Sequence, residues 1–189
     1  MRASDLPNLL TLLRVVLVPA IVWLLLHDFY AEALWVFLLA GISDGLDGFL
    51  ARRMNWRSRL GSILDPLADK LLLVVSYFTL AWIGLVPDWL LAAVLLRDFV
   101  IIVGGLAYHR HFGPFEMEPT YVSKINTFAQ IALVIGLVAH QAFLFLPAQW
   151  ITAGHYIVLT TTLLSGMDYV WTWGLRAWRR QRGAEDMRG

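Results

Sequence analysis

Six apolar stretches fill most of this chain, and each is long enough to cross a bilayer, which takes about 20 residues. They lie near residues 8–27, 31–52, 60–83, 88–108, 123–145 and 149–176. Apolar residues make up 59% of the sequence and charged residues 15%, a balance too greasy for an ordinary soluble domain. Three connections are short turns without Lys or Arg: His27-Asp28-Phe29-Tyr30, Gly84-Leu85-Val86-Pro87-Asp88 and Leu146-Pro147-Ala148-Gln149. The expected fold is an all-α integral membrane protein, a bundle of six transmembrane helices forming one domain over residues 1–189.

The positive charges gather at the opposite ends of the same stretches. Arg52, Arg53, Arg57 and Arg59 lie between the second and third, and Arg110 and Lys124 flank the loop at 109–121. Arg176, Arg179, Arg180, Arg182 and Arg188 fill the tail. The positive-inside rule then puts both termini on the cytoplasmic side, as expected for a bacterial cytoplasmic (inner) membrane. The loop 109–121 reads as interfacial, and its His109 and His111, two apart, make a poor zinc site. The basic tail reads as a stop-transfer flank or as a holder of anionic lipid headgroups. The first apolar run follows Arg2 and has no small-residue cleavage site, so it reads as a retained span rather than a signal peptide. With no cysteine in the sequence, disulfides, thiolate metal sites and cysteine nucleophiles are excluded. No nucleic-acid partner is expected.

Against this apolar background, residues 44–69 carry a concentration of acid: Asp44-Gly-Leu-Asp47-Gly48-Phe-Leu-Ala51-Arg52, eight residues, then Gly61-Ser62-Ile-Leu-Asp65-Pro-Leu-Ala-Asp69. Asp44, Asp47 and Ala51 share one face of a helix with Gly48 and Arg52, and Gly61, Asp65 and Asp69 share a face of the next. The spacer is long enough to turn a corner, so the two acidic faces can meet across a helical hairpin. Carboxylate oxygens are hard ligands, and two converging pairs suit Mg²⁺ or Mn²⁺ better than zinc. The small residues between the acids leave room for a bulky ligand to reach the backbone, and Arg52 supplies a planar fork for a pyrophosphate. Packed together without cations, four carboxylates would repel one another.

This stretch resembles the signature of the CDP-alcohol phosphatidyltransferases, D-x2-D-G-x2-A-R-x8-G-x3-D-x3-D, with every fixed position present at the family spacing. The resemblance implies a membrane enzyme that moves a phosphatidyl group from CDP-diacylglycerol to a lipid or polyol-phosphate acceptor and releases CMP. It also implies that Asp44, Asp47, Asp65 and Asp69 hold two Mg²⁺ or Mn²⁺ ions, with Asp69 the general base. Asp47, Gly48, Ala51, Arg52, Gly61 and Ser62 would line the CDP site. Asn8-Leu-Leu-Thr-Leu-Leu-Arg14 and Ser165-Gly-Met-Asp168-Tyr169 look like the opening and closing segments of the family's glycerol-type branch. Within that branch, Pro119-Thr120-Tyr-Val-Ser123-Lys124-Ile-Asn126-Thr127 is most similar to mitochondrial-type cardiolipin synthases. Phosphatidylglycerophosphate synthases usually have Gly-Lys-x-Lys-Thr there. Asn126 in place of the second lysine favours phosphatidylglycerol over glycerol-3-phosphate as acceptor, because an amide hydrogen-bonds a hydroxyl but cannot neutralise a phosphate.

Ionised residues in a helix centre cost about 2.5–3.5 kcal/mol on insertion scales, so Lys70, Arg97 and Asp98 need a reason. Lys70 and Arg97 either lock helices by neutralising a carboxylate or contact substrate. Arg14 either snorkels to the surface or binds the acceptor's phosphate. Arg14, Arg97, Lys124 and Asn126 are therefore the candidate acceptor-binding residues. Gly41 and Gly45 allow close helix packing, a homodimer included. A small cation-dependent transporter is the alternative from another class, but the acids cluster at one side and no second half mirrors the first.

Overall fold

The computed structural model describes residues 6–54, 61–112, 120–144 and 146–186; over 6–12, 14, 44–54, 61–67, 107–109, 111–112 and 173–186 it describes the backbone alone. The described residues form six helices and no strand: α1 (Leu6–Leu26), α2 (Tyr30–Met54), α3 (Gly61–Trp82), α4 (Asp88–Phe112), α5 (Tyr121–Phe143) and α6 (Ala148–Asp186). Two of them, over Asp88–Leu106 and Tyr121–Phe143, are long and apolar enough to cross a membrane.

The turns stop the helices by recognisable chemistry. Just past the end of α3, Gly84 takes a φ of 79° in the left-handed region, and Leu85 N–H reaches back to Leu80 O at 2.8 Å. Asp28 and Leu144 take positive φ after α1 and α5. At the other end of α5, Thr120 Oγ1 accepts the Ser123 N–H at 3.2 Å, which caps the helix and fixes the register of the polar residues that follow.

Two expected boundaries move. The connection expected over 109–121 is shorter, because α4 continues through His109-Arg110-His111-Phe112 and α5 starts at Tyr121. The sixth span, expected to end at 176, continues as helix to Asp186, so the basic tail is largely helical. Nothing in Arg-Ala-Trp-Arg-Arg-Gln-Arg breaks a helix, and Arg, Ala and Gln all favour one. At 1.5 Å per residue the 39-residue α6 is about 58 Å long, well beyond the ~30 Å hydrocarbon core of a bilayer.

The chain packs as two compact units, each assembled from separated segments. The first comprises Met1–Pro87 with Ile131–Ile151, and the second Asp88–Gln130 with Thr152–Gly189. In the first, α1 packs on both α2 and α3. Its described interior is largely apolar: Val18, Ile21 and Leu25 on α1, Ala33, Phe37 and Ala40 on α2, and Tyr77 and Leu80 on α3. Spacings of three and four place each set on one helix face. The second unit buries Leu90 and Val94 of α4, followed on the same helix face by Arg97. On α5 the buried positions are Ser123, Asn126 and Gln130, and on α6 Val158, Thr162, Ser165 and Tyr169. Large apolar side chains point outward from every helix, among them Leu39, Phe78, Phe99, Phe128 and Val170. Apolar residues outside with polar ones inside invert the soluble pattern and give the chain the character of a membrane protein.

Candidate functional site

The acidic motif lies on two helices of the first unit. Asp44, Asp47, Gly48, Ala51 and Arg52 fall within the unbroken α2, and Gly61, Ser62, Asp65 and Asp69 within α3. The helical spacing read from the sequence therefore holds, and each set shares a face of its helix. Asp69 is exposed, and Ala68 beside it is buried, so α3 presents this part of its acidic face outward. The side chains of Asp44, Asp47, Gly48, Ala51, Arg52, Gly61, Ser62 and Asp65 lie outside the described residues, as does that of Arg14, and the meeting of the two faces falls on them. Among the described residues no group of three ligating side chains occurs. The fit to a divalent cation rests on the donor set and its register, which supply oxygen ligands alone from successive turns of α2 and α3.

The second unit holds a polar network built around Arg97. Its Nη1 donates to Asp98 Oδ1 at 2.9 Å, and its Nη2 donates to Ser123 Oγ at 2.6 Å and Ser165 Oγ at 2.7 Å. Nε also donates to Ser165 Oγ, at 3.2 Å. A guanidinium has five N–H donors, so these contacts commit four of them. The Tyr169 ring lies under the cation, 5.8 Å from centroid to Cζ. Arg97 and Asp98 are only 8% and 7% exposed, and Gly166 packs on the Arg97 stem, where an added Cβ would sit 3.8 Å from Cγ. Of the two roles the sequence left open for Arg97, the helix lock has direct support here. The carboxylate it neutralises is its neighbour Asp98, and the helices it ties are α4, α5 and α6, through two serines. Lys70 is half-buried on α3.

Asn126 is fully buried, and its Oδ1 accepts hydrogen bonds from Thr161 and Thr162, both at 2.9 Å. Its Nδ2 is buried with no hydrogen-bond partner among the described residues. The amide thus offers a donor, while its acceptor oxygen is already occupied. Lys124 is exposed, with Nζ 5.4 Å from the Tyr121 ring centroid. Thr161, Thr162 and Ser165 were not singled out by role from the sequence. Their signal was a hydroxyl stripe at helical spacing in an otherwise apolar span, ending in the Asp168-Tyr169 pair.

The family model for CDP-alcohol phosphatidyltransferases matches residues 4–165. The chain belongs to the CDP-alcohol phosphatidyltransferase family. It is 35% identical over 180 residues to the cardiolipin synthase (CMP-forming) of Rattus norvegicus, an alignment covering 86% of this chain and 59% of the relative. A second relative is the chloroplastic CDP-diacylglycerol–glycerol-3-phosphate 3-phosphatidyltransferase 1 of Oryza sativa subsp. japonica, 33% identical over 187 residues, 89% of this chain and 56% of the relative. The cardiolipin synthase (CMP-forming) of Streptomyces coelicolor is 36% identical over 133 residues, 67% of this chain and 61% of the relative. The chain thus spans somewhat more than half the length of these curated relatives. Membership in the phosphatidyltransferase family accounts for a motif in which carboxylates alternate with glycine and alanine, a pattern that helix pairing alone leaves unexplained.

Proposed function

We propose that this phosphatidyltransferase joins CDP-diacylglycerol to phosphatidylglycerol, forming cardiolipin and releasing CMP, at the cytoplasmic face of a bacterial inner membrane. The observation that carries the reading is the complete motif, Asp44 to Asp69, set in helical register on α2 and α3 of a chain that the family model matches over residues 4–165. The match crosses both packing units, which supports treating the chain as one domain. The six helices each cross the bilayer with both termini cytoplasmic, a topology supported by the distribution of Lys and Arg. Gly41 faces open space, with nothing within 4 Å of an added Cβ, and so leaves room for a second copy in a homodimer.

In the reaction an acceptor hydroxyl attacks the lipid-side phosphorus of the pyrophosphate in line, and CMP leaves with the other phosphate. Asp69 takes the proton from the attacking hydroxyl. Asp47, Gly48, Ala51, Arg52, Gly61 and Ser62 seat the CDP moiety, the small residues admitting it to the backbone and Arg52 pairing with phosphate oxygens. Asp44, Asp47, Asp65 and Asp69 would hold two Mg²⁺ or Mn²⁺ ions, which when bound neutralise the phosphoryl oxygens and the leaving group. Lys124 answers the single charge of the acceptor's phosphodiester, and Asn126 Nδ2 offers a hydrogen bond to its glycerol. Arg97 acts through Ser123 and Ser165, holding the polar face of α5 on which Asn126 sits.

Glycerol-3-phosphate is the second reading of the acceptor, favoured by the name of the rice relative. The experiment offers purified protein radiolabelled CDP-diacylglycerol with each acceptor and follows CMP release and lipid product. Release that depends on alcohol and on divalent metal belongs to the enzyme and to neither a transporter nor a structural protein. Preference for glycerol-3-phosphate would overturn the cardiolipin assignment.

A further inference from the structure

Two opposed faces of α6 can be followed along its whole length. One is buried, through Val158, Thr162, Ser165 and Tyr169, and the other is exposed, through Leu164, Met167 and Trp171. Each set recurs at spacings of three and four, and Tyr169 and Trp171, two residues apart, fall on opposite sides of the helix. Because the helix is unbroken to Asp186, the same register assigns the residues that follow. Leu175 and Trp178, four and seven residues after Trp171, continue the exposed apolar face, and Arg182 closes it. Arg176 and Arg180, seven and eleven residues after Tyr169, continue the buried face, with Arg179 at its border.

Beyond Trp171 the helix is thus apolar in one register and cationic in the other, and no acid stands among the arginines between 176 and 182. From Ala148 to Trp178 it measures about 46 Å at 1.5 Å per residue, close to the thickness of a bilayer with its headgroup layers, about 40–45 Å. Trp178 and the arginines around it therefore reach the level of the lipid phosphates. A helix projecting straight into water would leave Leu175 and Trp178 solvated. A nucleic acid or an acidic protein would match the arginines and offer nothing to the apolar face. An anionic bilayer surface matches both, with phosphates for one face and the acyl boundary for the other. A stop-transfer flank needs only positive charge, in any register. Segregation of that charge to one face of a continuous helix is what marks a docking element.

We propose that residues 173–186 of α6 form an interfacial helix that docks on the anionic headgroups of the surrounding membrane through Arg176, Arg179 and Arg180. The inference goes beyond the transferase reaction and rests on α6 crossing the bilayer, not on which acceptor is used. Near an anionic surface each arginine favours the docked state by about fivefold, so three together select anionic over zwitterionic lipid, and salt weakens the preference. Such a surface would enrich anionic lipids, the class to which CDP-diacylglycerol and phosphatidylglycerol both belong, at the rim of the protein.

The sequence has no cysteine, so a single introduced one can be spin-labelled without background. The full chain carrying Met167→Cys, Leu175→Cys, Trp178→Cys or Gly183→Cys, one at a time, goes into nanodiscs of phosphatidylcholine with increasing phosphatidylserine, an anionic lipid without a glycerol hydroxyl to act as acceptor. Accessibility to oxygen and to a nickel chelate reads the depth of each label. With phosphatidylserine, the labels at 175 and 178 should be oxygen-accessible like the one at 167, and the label at 183, in register with Arg176, should stay nickel-accessible. In phosphatidylcholine alone, 175 and 178 should shift toward the chelate. Combining Arg176→Gln, Arg179→Gln and Arg180→Gln should raise the phosphatidylserine fraction needed for half the shift by at least about fivefold, and high salt should do the same to the parent. Labels at 175 and 178 that stay nickel-accessible at every phosphatidylserine fraction would overturn the proposal. Equal depth in phosphatidylcholine alone and in the triple variant would overturn it too, since the contact would then owe nothing to charge. A nickel-accessible label at 167 would instead remove the crossing of α6 on which the proposal rests.

Discussion

The two packing units bury polar groups in different ways. In the first, Ser76 Oγ donates to Leu72 O at 2.6 Å and Thr79 Oγ1 to Val75 O at 2.9 Å, each inside α3. Those hydroxyls are satisfied by their own helix and, among the described residues, tie it to no other. In the second, Arg97 reaches Ser123 and Ser165, and Thr161 and Thr162 reach Asn126, so the bonds run between helices 26 to 68 residues apart in sequence. An apolar interior closes by packing and tolerates small shifts. A hydrogen-bonded one specifies a single register, and it loses more when one member goes. The difference fits the division of labour proposed above, in which the carboxylates of α2 and α3 in the first unit would do the chemistry and polar groups of the second would hold the acceptor.

The largest effect should follow from disabling the chemistry assigned to the first unit. Asp69→Asn should lower kcat by about 10²- to 10⁴-fold, the usual worth of a general base, while CDP-diacylglycerol binding survives better than turnover. Asp44→Ala and Asp47→Ala should lose metal and nucleotide affinity together, and a chelator should abolish turnover until Mg²⁺ or Mn²⁺ is restored. Turnover by Asp69→Asn at the parent rate would move the base elsewhere, and full activity in chelator would remove the metals from the account.

Next comes the network of the second unit. Arg97→Ala removes the guanidinium paired with the buried Asp98 carboxylate, a change that costs about 3–5 kcal/mol in comparable pairs. Thermal unfolding of the purified variant in detergent should show a large drop. Replacing both partners, as Arg97→Leu with Asp98→Leu, should recover much of it, because the uncompensated charge is gone. If the single variant is as stable as the parent, the contrast between the units fails. If the double variant is stable but inactive, Arg97 serves the acceptor as well as the fold.

These contrasts also explain what the sequence made legible. The Asp44–Asp69 motif is local, and its spacing needs only a helix to become a face, so both the family and the candidate ligands could be read directly. The six helices followed from apolar length, with ends displaced where no breaker stood: at His109 to Phe112, and beyond Arg176. Arg97 stood out as a charge in an apolar span, but its partners did not. A serine in such a helix can bond its own backbone, as Ser76 does, or another helix, as Ser123 and Ser165 do, and only tertiary structure separates the two. Asn126 was read as facing an acceptor through its amide; the structure shows half of that amide already engaged by Thr161 and Thr162.

A smaller effect is expected at Asn126 itself. Asn126→Lys restores the second lysine of the phosphatidylglycerophosphate synthase pattern and should shift the ratio of kcat/KM toward glycerol-3-phosphate by about tenfold, one charge-assisted hydrogen bond's worth. Its ammonium would enter a site that is now fully buried, so part of the gain is lost to desolvation. A wild type that already prefers glycerol-3-phosphate would show that the amide does not select the acceptor.

The smallest effect should come from the first unit's buried hydroxyls. Ser76→Ala removes a donor whose acceptor, Leu72 O, also belongs to the helical ladder of α3, so no buried group is left without a partner. The change should cost at most about 1 kcal/mol, the net value of an ordinary hydrogen bond. Ser165→Ala is the matched substitution in the second unit: the same hydroxyl is deleted, but it takes with it the acceptor of both Nε and Nη2 of a buried guanidinium. The loss should be clearly larger, about 1.5–3 kcal/mol for hydrogen bonds to a charged group. Chemical denaturation of the two serine variants side by side measures the difference directly. Equal losses would mean that the Ser165 bonds contribute no more than local ones, and that Asp98 and Ser123 hold Arg97 without them.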